Sequence, residues 1–109
     1  MTLNTSTPEQ RHAAMFALLG DPLRLRIVDL LATEQLCTCH LIDATGAKQT
    51  TISHHLRILR EAGAVTAEEV GRFTWYRLSP DLLTAMTDRL AGLARAAQLA
   101  QRERQPCGP

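Results

Sequence analysis

The chain has no apolar run near the roughly 18 residues that cross a bilayer. It also has no basic N-terminal stretch followed by an apolar one, so neither secretion nor membrane insertion is expected and the reading is cytoplasmic. Cysteine is scarce and odd in number, with Cys37 and Cys39 one residue apart and Cys107 near the end. In a reducing compartment that excludes a disulfide framework. Positive charge is also in short supply: the net charge of +1 argues, taken alone, against a strongly basic nucleic-acid binder. Three absences are local. No acid lies between Asp43 and Glu61, no cysteine lies within residues 48–62, and no histidine lies within residues 80–105.

What is present fits one domain with a modest core, at 109 residues and 45% hydrophobic content. Charge is unevenly spread. Residues 1–43 carry three arginines against five acids, whereas residues 44–80 carry Lys48, Arg57, Arg60, Arg72 and Arg77 against only Glu61, Glu68 and Glu69. The second stretch is the candidate contact for an acidic partner.

Thr7-Pro8-Glu9-Gln10 predicts a helix start, with Thr7 as N-cap and Gln10 as its capping-box partner, running to about Leu19. Gly20 breaks it. Asp21-Pro22 starts a second helix by the same logic, with Leu23, Ile27, Leu30 and Leu31 at helical spacing. After Cys37 and Cys39, residues 40–45 predict a short helix that Gly46 ends in a left-handed conformation. From residue 49 to 62, Ile52, Leu56 and Leu59 share one face and polar side chains fill the rest. A short helix, a Gly-containing turn and a longer polar-faced helix is the helix-turn-helix order. Gly63 ends the longer helix, and residues 65–70 and 73–78 then predict two strands joined through Gly71-Arg72, a hairpin or wing. Ser79-Pro80-Asp81 opens a last helix whose Leu82, Met86, Leu90, Leu93 and Ala97 make a stripe suited to a partner helix. The fold class is therefore mainly α with a small β-hairpin, a winged helix-turn-helix. Residues 1–100 form the DNA-binding and dimerisation domain, and residues 101–109 form a flexible tail carrying Cys107.

A thiolate selects thiophilic ions over Mg²⁺ or Ca²⁺, so a cysteine pair just ahead of a DNA reader points to an ion-responsive transcriptional repressor. The DNA-binding set is Lys48, Gln49, Thr50, Thr51, Ser53, His54, Arg57 and Arg60, with Arg72 on the hairpin turn. Thr50, Ser53 and His54 suit base edges or phosphates, and Arg57 and Arg60 suit phosphates. Adjacent His54 and His55 point to different helix faces and do not form the i, i+4 clamp of a helical zinc site.

Four segments carry a resemblance: Leu19-Gly20-Asp21-Pro22-Leu23-Arg24-Leu25, residues 34–39 ending in Cys37-Thr38-Cys39, Ile52-Ser53-His54-His55-Leu56-Arg57 continuing to Gly63, and Gly71-Arg72 with Trp75-Tyr76-Arg77-Leu78. On these the chain resembles the arsenic-responsive branch of the ArsR/SmtB family of winged-helix repressors over nearly its whole length. The resemblance implies a homodimer, a two-fold operator of double-stranded DNA, and release when As(III) or Sb(III) binds cysteine thiolates. It makes Cys37 and Cys39 ligands. The family's third cysteine position is occupied here by Ile42, which leaves Cys107 or an exogenous group as third ligand and His40 as a further candidate. Lys48 stands where similar proteins place a serine N-cap, so a phosphate contact would offset the lost cap. Zinc and nickel sensors of this fold place histidine ligands on the last helix, and residues 80–105 have none. Two alternatives keep the fold: a Cd(II)/Pb(II)/Zn(II) sensor and a thiol redox-sensing repressor. A thiol oxidoreductase would need a C-x-x-C in a thioredoxin-like setting, which is absent, so the chain reads as a binding protein and not an enzyme.

Overall fold

The computed structural model describes residues 7–108, so residues 1–6 of the expected domain and residue 109 of the expected tail lie outside the described residues. The first helix, α1 (Pro8–Leu18), opens on the capping box read from the sequence. The Thr7 hydroxyl accepts from the Gln10 N–H at 3.1 Å, and Gln10 Oε1 accepts from the Thr7 N–H at 2.8 Å. The second helix, α2 (Pro22–Leu31), opens on Asp21, whose carboxylate accepts from the Leu23 and Arg24 N–H groups at 2.9 and 3.0 Å. Each cap satisfies donors that the first helical turn leaves without partners.

After α2 the structure adds an element that the sequence did not announce. Leu36–Cys37 form a short strand, β1, and the next helix, α3 (Thr38–Thr45), starts two residues earlier than the expected residue 40. The cause is tertiary: Leu36 pairs with Tyr76 and Cys37 with Trp75, antiparallel, which makes Cys37 both a strand residue and the N-cap of α3. Gly46 at φ 74° ends α3 in the left-handed region, where a side chain is disfavoured. Then follow α4 (Gln49–Glu61), β2 (Val65–Val70), β3 (Phe73–Leu78) and α5 (Pro80–Leu99). The sheet runs β1-β3-β2, all antiparallel, so the expected hairpin is the larger part of a three-stranded wing.

Ile27, Val28 and Leu31 of α2 meet Leu41 of α3, Ile52, Leu56 and Leu59 of α4, and Ala64 and Val65 in a single core. Burying Ile52, Leu56 and Leu59 on one side of α4 leaves its opposite side in solvent. α1 and α5 touch each other but stand largely off this core: α1 buries no residue and α5 only Met86. Leu90 and Leu93, in the expected stripe, are each 54% exposed. A compact chain of this length has a radius of gyration of about 13 Å, whereas this one measures 18.5 Å with a longest dimension of 66 Å. Residues 101–108 hold no helix or strand and are exposed. No described helix is long and apolar enough to cross a membrane.

Candidate functional site

The helix-turn-helix is fastened by side chains around its turn. Thr45 Oγ1 donates to the Leu41 carbonyl at 2.7 Å and accepts from the Ala47 N–H at 3.2 Å, and Arg26 reaches from α2 to the Ala44 carbonyl at 3.1 Å. Beyond that turn, Lys48, Gln49, Thr50, Ser53, His54, Arg57 and Arg60 are exposed on α4 or at its start, and Thr51 is half-buried. Lys48 is the N-cap and makes no side-chain capping bond, as expected of a residue with no acceptor. An Arg57 guanidinium nitrogen stands 3.3 Å from His54 Nδ1. A guanidinium only donates, so a hydrogen bond at this contact has Nδ1 as its acceptor. Arg72 is exposed at the wing tip beside Gly71, whose φ of 62° makes the turn.

His55 goes the other way. Arg24 Nη1 lies 3.3 Å from its Nδ1, Asp21 Oδ1 lies 3.9 Å from its Nε2, and Arg24 Nε donates to the Leu18 carbonyl at 2.8 Å. Burial holds the imidazole below the ordinary histidine pKa; Asp21 pulls it up, and the charges of Arg24 and His54 add to the lowering. The Asp21 carboxyl is itself lowered, chiefly by the Arg24 N–H it accepts, against a smaller upward push from desolvation. The α2 cap thus braces the buried side of α4. Sequence reading missed this brace, because Arg24 and His55 are 31 residues apart and no local spacing links them.

The thiols occupy the opposite end of the motif. Cys37 is 3% exposed and Cys39 is exposed, and both are free. The Cys37 N–H donates to His40 Nδ1 at 3.0 Å. The Cys37 sulfur faces the His40 N–H in a capping-box arrangement but makes no strict hydrogen bond to it. With Nδ1 occupied, His40 would have to release the cap to offer that nitrogen to an ion. Its ring also rests on Trp75, with centroids 5.6 Å apart. Burial, and secondarily Cys39, push the Cys37 thiol above the ordinary range. It is therefore protonated at neutral pH, and an ion that takes the sulfur displaces a proton.

Both cysteines line an open cleft of about 310 Å³ with Thr38, Ile42, Gln49 and residues 72–74 of the wing. A recess of about 250 Å³ adjoins it, walled by the two cysteines, His40, Phe73 and Trp75. The sequence named the pair, Gln49 and Arg72 separately; that they share one cleft is a product of the fold. Cys107 is exposed in the segment after α5. No group of three or more His, Cys, Asp or Glu side chains gathers around a metal position among the described residues.

Residues 21–67, from the α2 cap through the first part of the wing, match the family model for the bacterial regulatory protein arsR family. An arsenical resistance operon repressor of Staphylococcus aureus is 33% identical over 78 residues, covering 72% of this chain and 75% of that protein. A crystal structure described as a possible transcriptional regulator for arsenical resistance superposes with a TM-score of 0.67 at 32% identity, covering 81% of this chain and 97% of that one. The chain belongs to the arsR family. A transcriptional repressor SmtB homolog of Synechocystis is also similar, 41% identical over 70 residues, which is 64% of this chain and about half, 53%, of that protein. An arsR-family winged helix-turn-helix is a DNA-binding transcriptional regulator and not an enzyme, and its macromolecular ligand is double-stranded DNA. Arsenical repressors and SmtB homologues both occur among the relatives, so membership alone does not choose the ion.

Proposed function

We propose that this arsR-family chain is a cytoplasmic As(III)/Sb(III)-responsive repressor that binds a two-fold operator as a homodimer and releases it when the ion binds Cys37 and Cys39. The observation that carries the reading is the shared cleft: the two thiols, the first residue of α4 (Gln49) and the wing-tip Arg72 line one space. An ion drawing the two sulfurs together at the start of α3 perturbs the element against which α4 is set. Thr50, Ser53 and His54 read base edges, Gln49 and Thr51 support them at the start of the helix, and Lys48, Arg57, Arg60 and Arg72 hold phosphates. A coupling of about 1–3 kcal/mol between ion and operator would weaken binding about 5- to 150-fold. The exposed Leu90 and Leu93 of α5, and an α1 that buries nothing in its own chain, support pairing of these helices with a second copy.

Cys107 is recruited from the tail as a third thiolate when inorganic arsenite is the effector, from either subunit. Loop closure grows by only about 0.6 kcal/mol per doubling of length, so the distance along the chain does not forbid it. The test titrates the reduced protein on its operator with arsenite, antimonite, Cd(II) and Zn(II), with arsenic X-ray absorption on wild type and Cys107→Ser. Arsenite and antimonite release the operator, and the sulfur count falls from three to two in the variant with weaker but surviving release. Release by Cd(II) or Zn(II) alone would replace this reading with a divalent-ion sensor of the same fold, and an unchanged sulfur count would remove Cys107 from the site.

A further inference from the structure

We propose that Asp21, Arg24 and His55 form a proton-sensitive latch on α4: with His55 neutral the latch holds the helix in its DNA-reading position, and protonation of His55 opens it and weakens operator binding. This rests on α4 as the reading helix and is independent of which ion is sensed. Arg24 is the centre of the arrangement. Its Nε donates to the carbonyl of Leu18, the last residue of α1, at 2.8 Å, and its Nη1 lies 3.3 Å from His55 Nδ1. A guanidinium only donates, so the second contact is a hydrogen bond only while Nδ1 carries no proton. One side chain thus joins the end of α1, the first turn of α2 and the inner side of α4.

A proton on His55 removes that acceptor and sets an imidazolium against a guanidinium. Arg24 does not turn away without cost, because turning gives up the Leu18 carbonyl, one of those a helix end leaves open. Solvent screens the contact weakly, since the His55 side chain is 11% exposed, and burial already disfavours its charged form. The charges that bear on it are Asp21 and Arg24 from the start of α2 and His54 from its own helix. Among the described residues, α3 and β2, which also pack on α4, bring none. Asp21 Oδ1 stands 3.9 Å from Nε2, too long for a hydrogen bond, and is already committed to the Leu23 and Arg24 N–H groups. It attracts the proton but does not replace the lost bond. The effect reaches DNA through the next residue. His54 lies with its ring centroid 5.3 Å from that of His55, yet is exposed beside Arg57. A turn of α4 that parts His55 from Arg24 carries Ser53, His54 and Arg57 with it, because they share one rigid helix. Protonation of exposed His54 acts with the opposite sign, adding a cation to a surface set toward phosphates.

The experiment measures ion-free operator affinity of the full-length reduced protein by fluorescence anisotropy at fixed salt, from about pH 8 to about pH 5.5, across the ordinary histidine range. Wild type is compared with His55→Gln, Asp21→Asn and His54→Gln, each normalised to its own value at the highest pH, with circular dichroism following the helices. Glutamine keeps an acceptor for Arg24 and has no proton to gain. Wild-type affinity is expected to fall relative to His55→Gln as pH drops below about 6.5, approaching tenfold per pH unit for one linked proton. Asparagine at position 21 keeps the α2 cap but not the charge that attracts the proton, so the fall should begin at lower pH. His54→Gln should deepen the fall by removing the opposing effect. Normalised profiles of wild type and His55→Gln that superpose overturn the latch. So does a fall in Asp21→Asn that begins at or above the wild-type pH, or a wild-type fall that coincides with loss of the helix signal. Failure of the wild type to bind the operator anywhere in the range overturns the repressor reading itself, and the latch with it.

Discussion

Cys37→Ser should silence the ion response and leave the repressor otherwise intact, and the reason lies in the two roles of that residue. As N-cap of α3 it offers a weakly accepting sulfur to the His40 N–H. Serine is among the preferred N-caps, and the step between a favoured and a poor cap is worth about 0.5–2 kcal/mol. Against that gain stands the transfer of a hydroxyl into a site where the native residue is 3% exposed, a cost of about 1–3 kcal/mol if the hydroxyl found no partner. Here the His40 N–H is already in position, so the two effects offset to within about 1 kcal/mol. That is small beside a stability of about 5–15 kcal/mol and shifts the unfolding midpoint by no more than about 8 °C. The loss on the sensing side is complete by comparison. A coupling of about 1–3 kcal/mol, expected in the wild type as a 5- to 150-fold weakening of operator binding, should fall to none. Fluorescence anisotropy of a labelled operator duplex, with and without arsenite, reads both quantities. A variant that still releases DNA at wild-type arsenite concentrations refutes the assignment of Cys37 as a ligand, and one that loses operator affinity without arsenite refutes the separation of sensing from DNA binding.

Arg57→Ala should weaken operator binding across sequences and lower the salt dependence of log K by about one, the loss of one phosphate contact, while His54→Ala should change which sequences are preferred. Unchanged affinity in both variants would count against α4 as the reading helix. The His55 brace should make stability depend on pH in a defined direction. The folded-state pKa is lowered, so the unfolded chain binds the proton more readily. The stabilisation is complete above the ordinary histidine value of about 6.5 and is lost as pH falls below it toward the lowered folded value. Asp21 adds a further loss below its ordinary 3.8. Urea midpoints from pH 7 down to about 5 measure the first step, and a His55→Gln profile that superposes on the wild type would show that the brace does not titrate. Finally, arsenite binding should be nearly flat between about pH 6 and 8, whereas any binding of Cd(II) to the same thiols should tighten with pH by up to about tenfold per proton displaced per unit.

The elements that were legible in the sequence are those whose cause is local. Thr7-Pro8 and Asp21-Pro22 announced helix starts because the cap acceptor and the donors it serves lie within three residues of each other. Ile52, Leu56 and Leu59 announced the buried face of α4 because the helical period puts them in line. β1 was illegible for the opposite reason: two residues are too few for any alternation, and Leu36 and Cys37 become a strand only because Tyr76 and Trp75 arrive beside them. The early start of α3 followed from the same pairing, since cysteine is not a residue from which a cap is read. The stripe on α5 was read correctly as apolar, but within one chain only Met86 is buried, so its use depends on something outside that chain's own core. The candidate site shows the same division. Its chemistry was visible as Cys37-Thr38-Cys39, while its position against Gln49, Arg72 and Phe73 needed the β1–β3 pairing to bring the wing alongside α3.

The contrast in pH dependence between arsenite and Cd(II) follows from where the thiol protons go. Burial keeps the Cys37 thiol protonated at neutral pH, so both ions meet a proton that must leave. Arsenite is As(OH)₃, an uncharged acid near neutrality, and it brings its own base. Each As–S bond formed expels a hydroxyl that departs as water with the thiol proton, so the net proton count is zero and the raised thiol pKa carries no penalty that pH can relieve. Cd(II) brings only charge. The Cys37 thiol would then give up its proton to solvent, and affinity would climb with pH until that thiol ionises unaided. On the proposed site, the raised pKa of Cys37 would handicap a bare divalent cation at neutral pH and leave a hydroxide-bearing metalloid unaffected. The discrimination should weaken as pH approaches the thiol pKa. A release titration with arsenite whose midpoint shifts by a full tenfold per pH unit in this range would mean that protons are being shed to solvent, and that the condensation with Cys37 as a neutral thiol is not the reaction taking place.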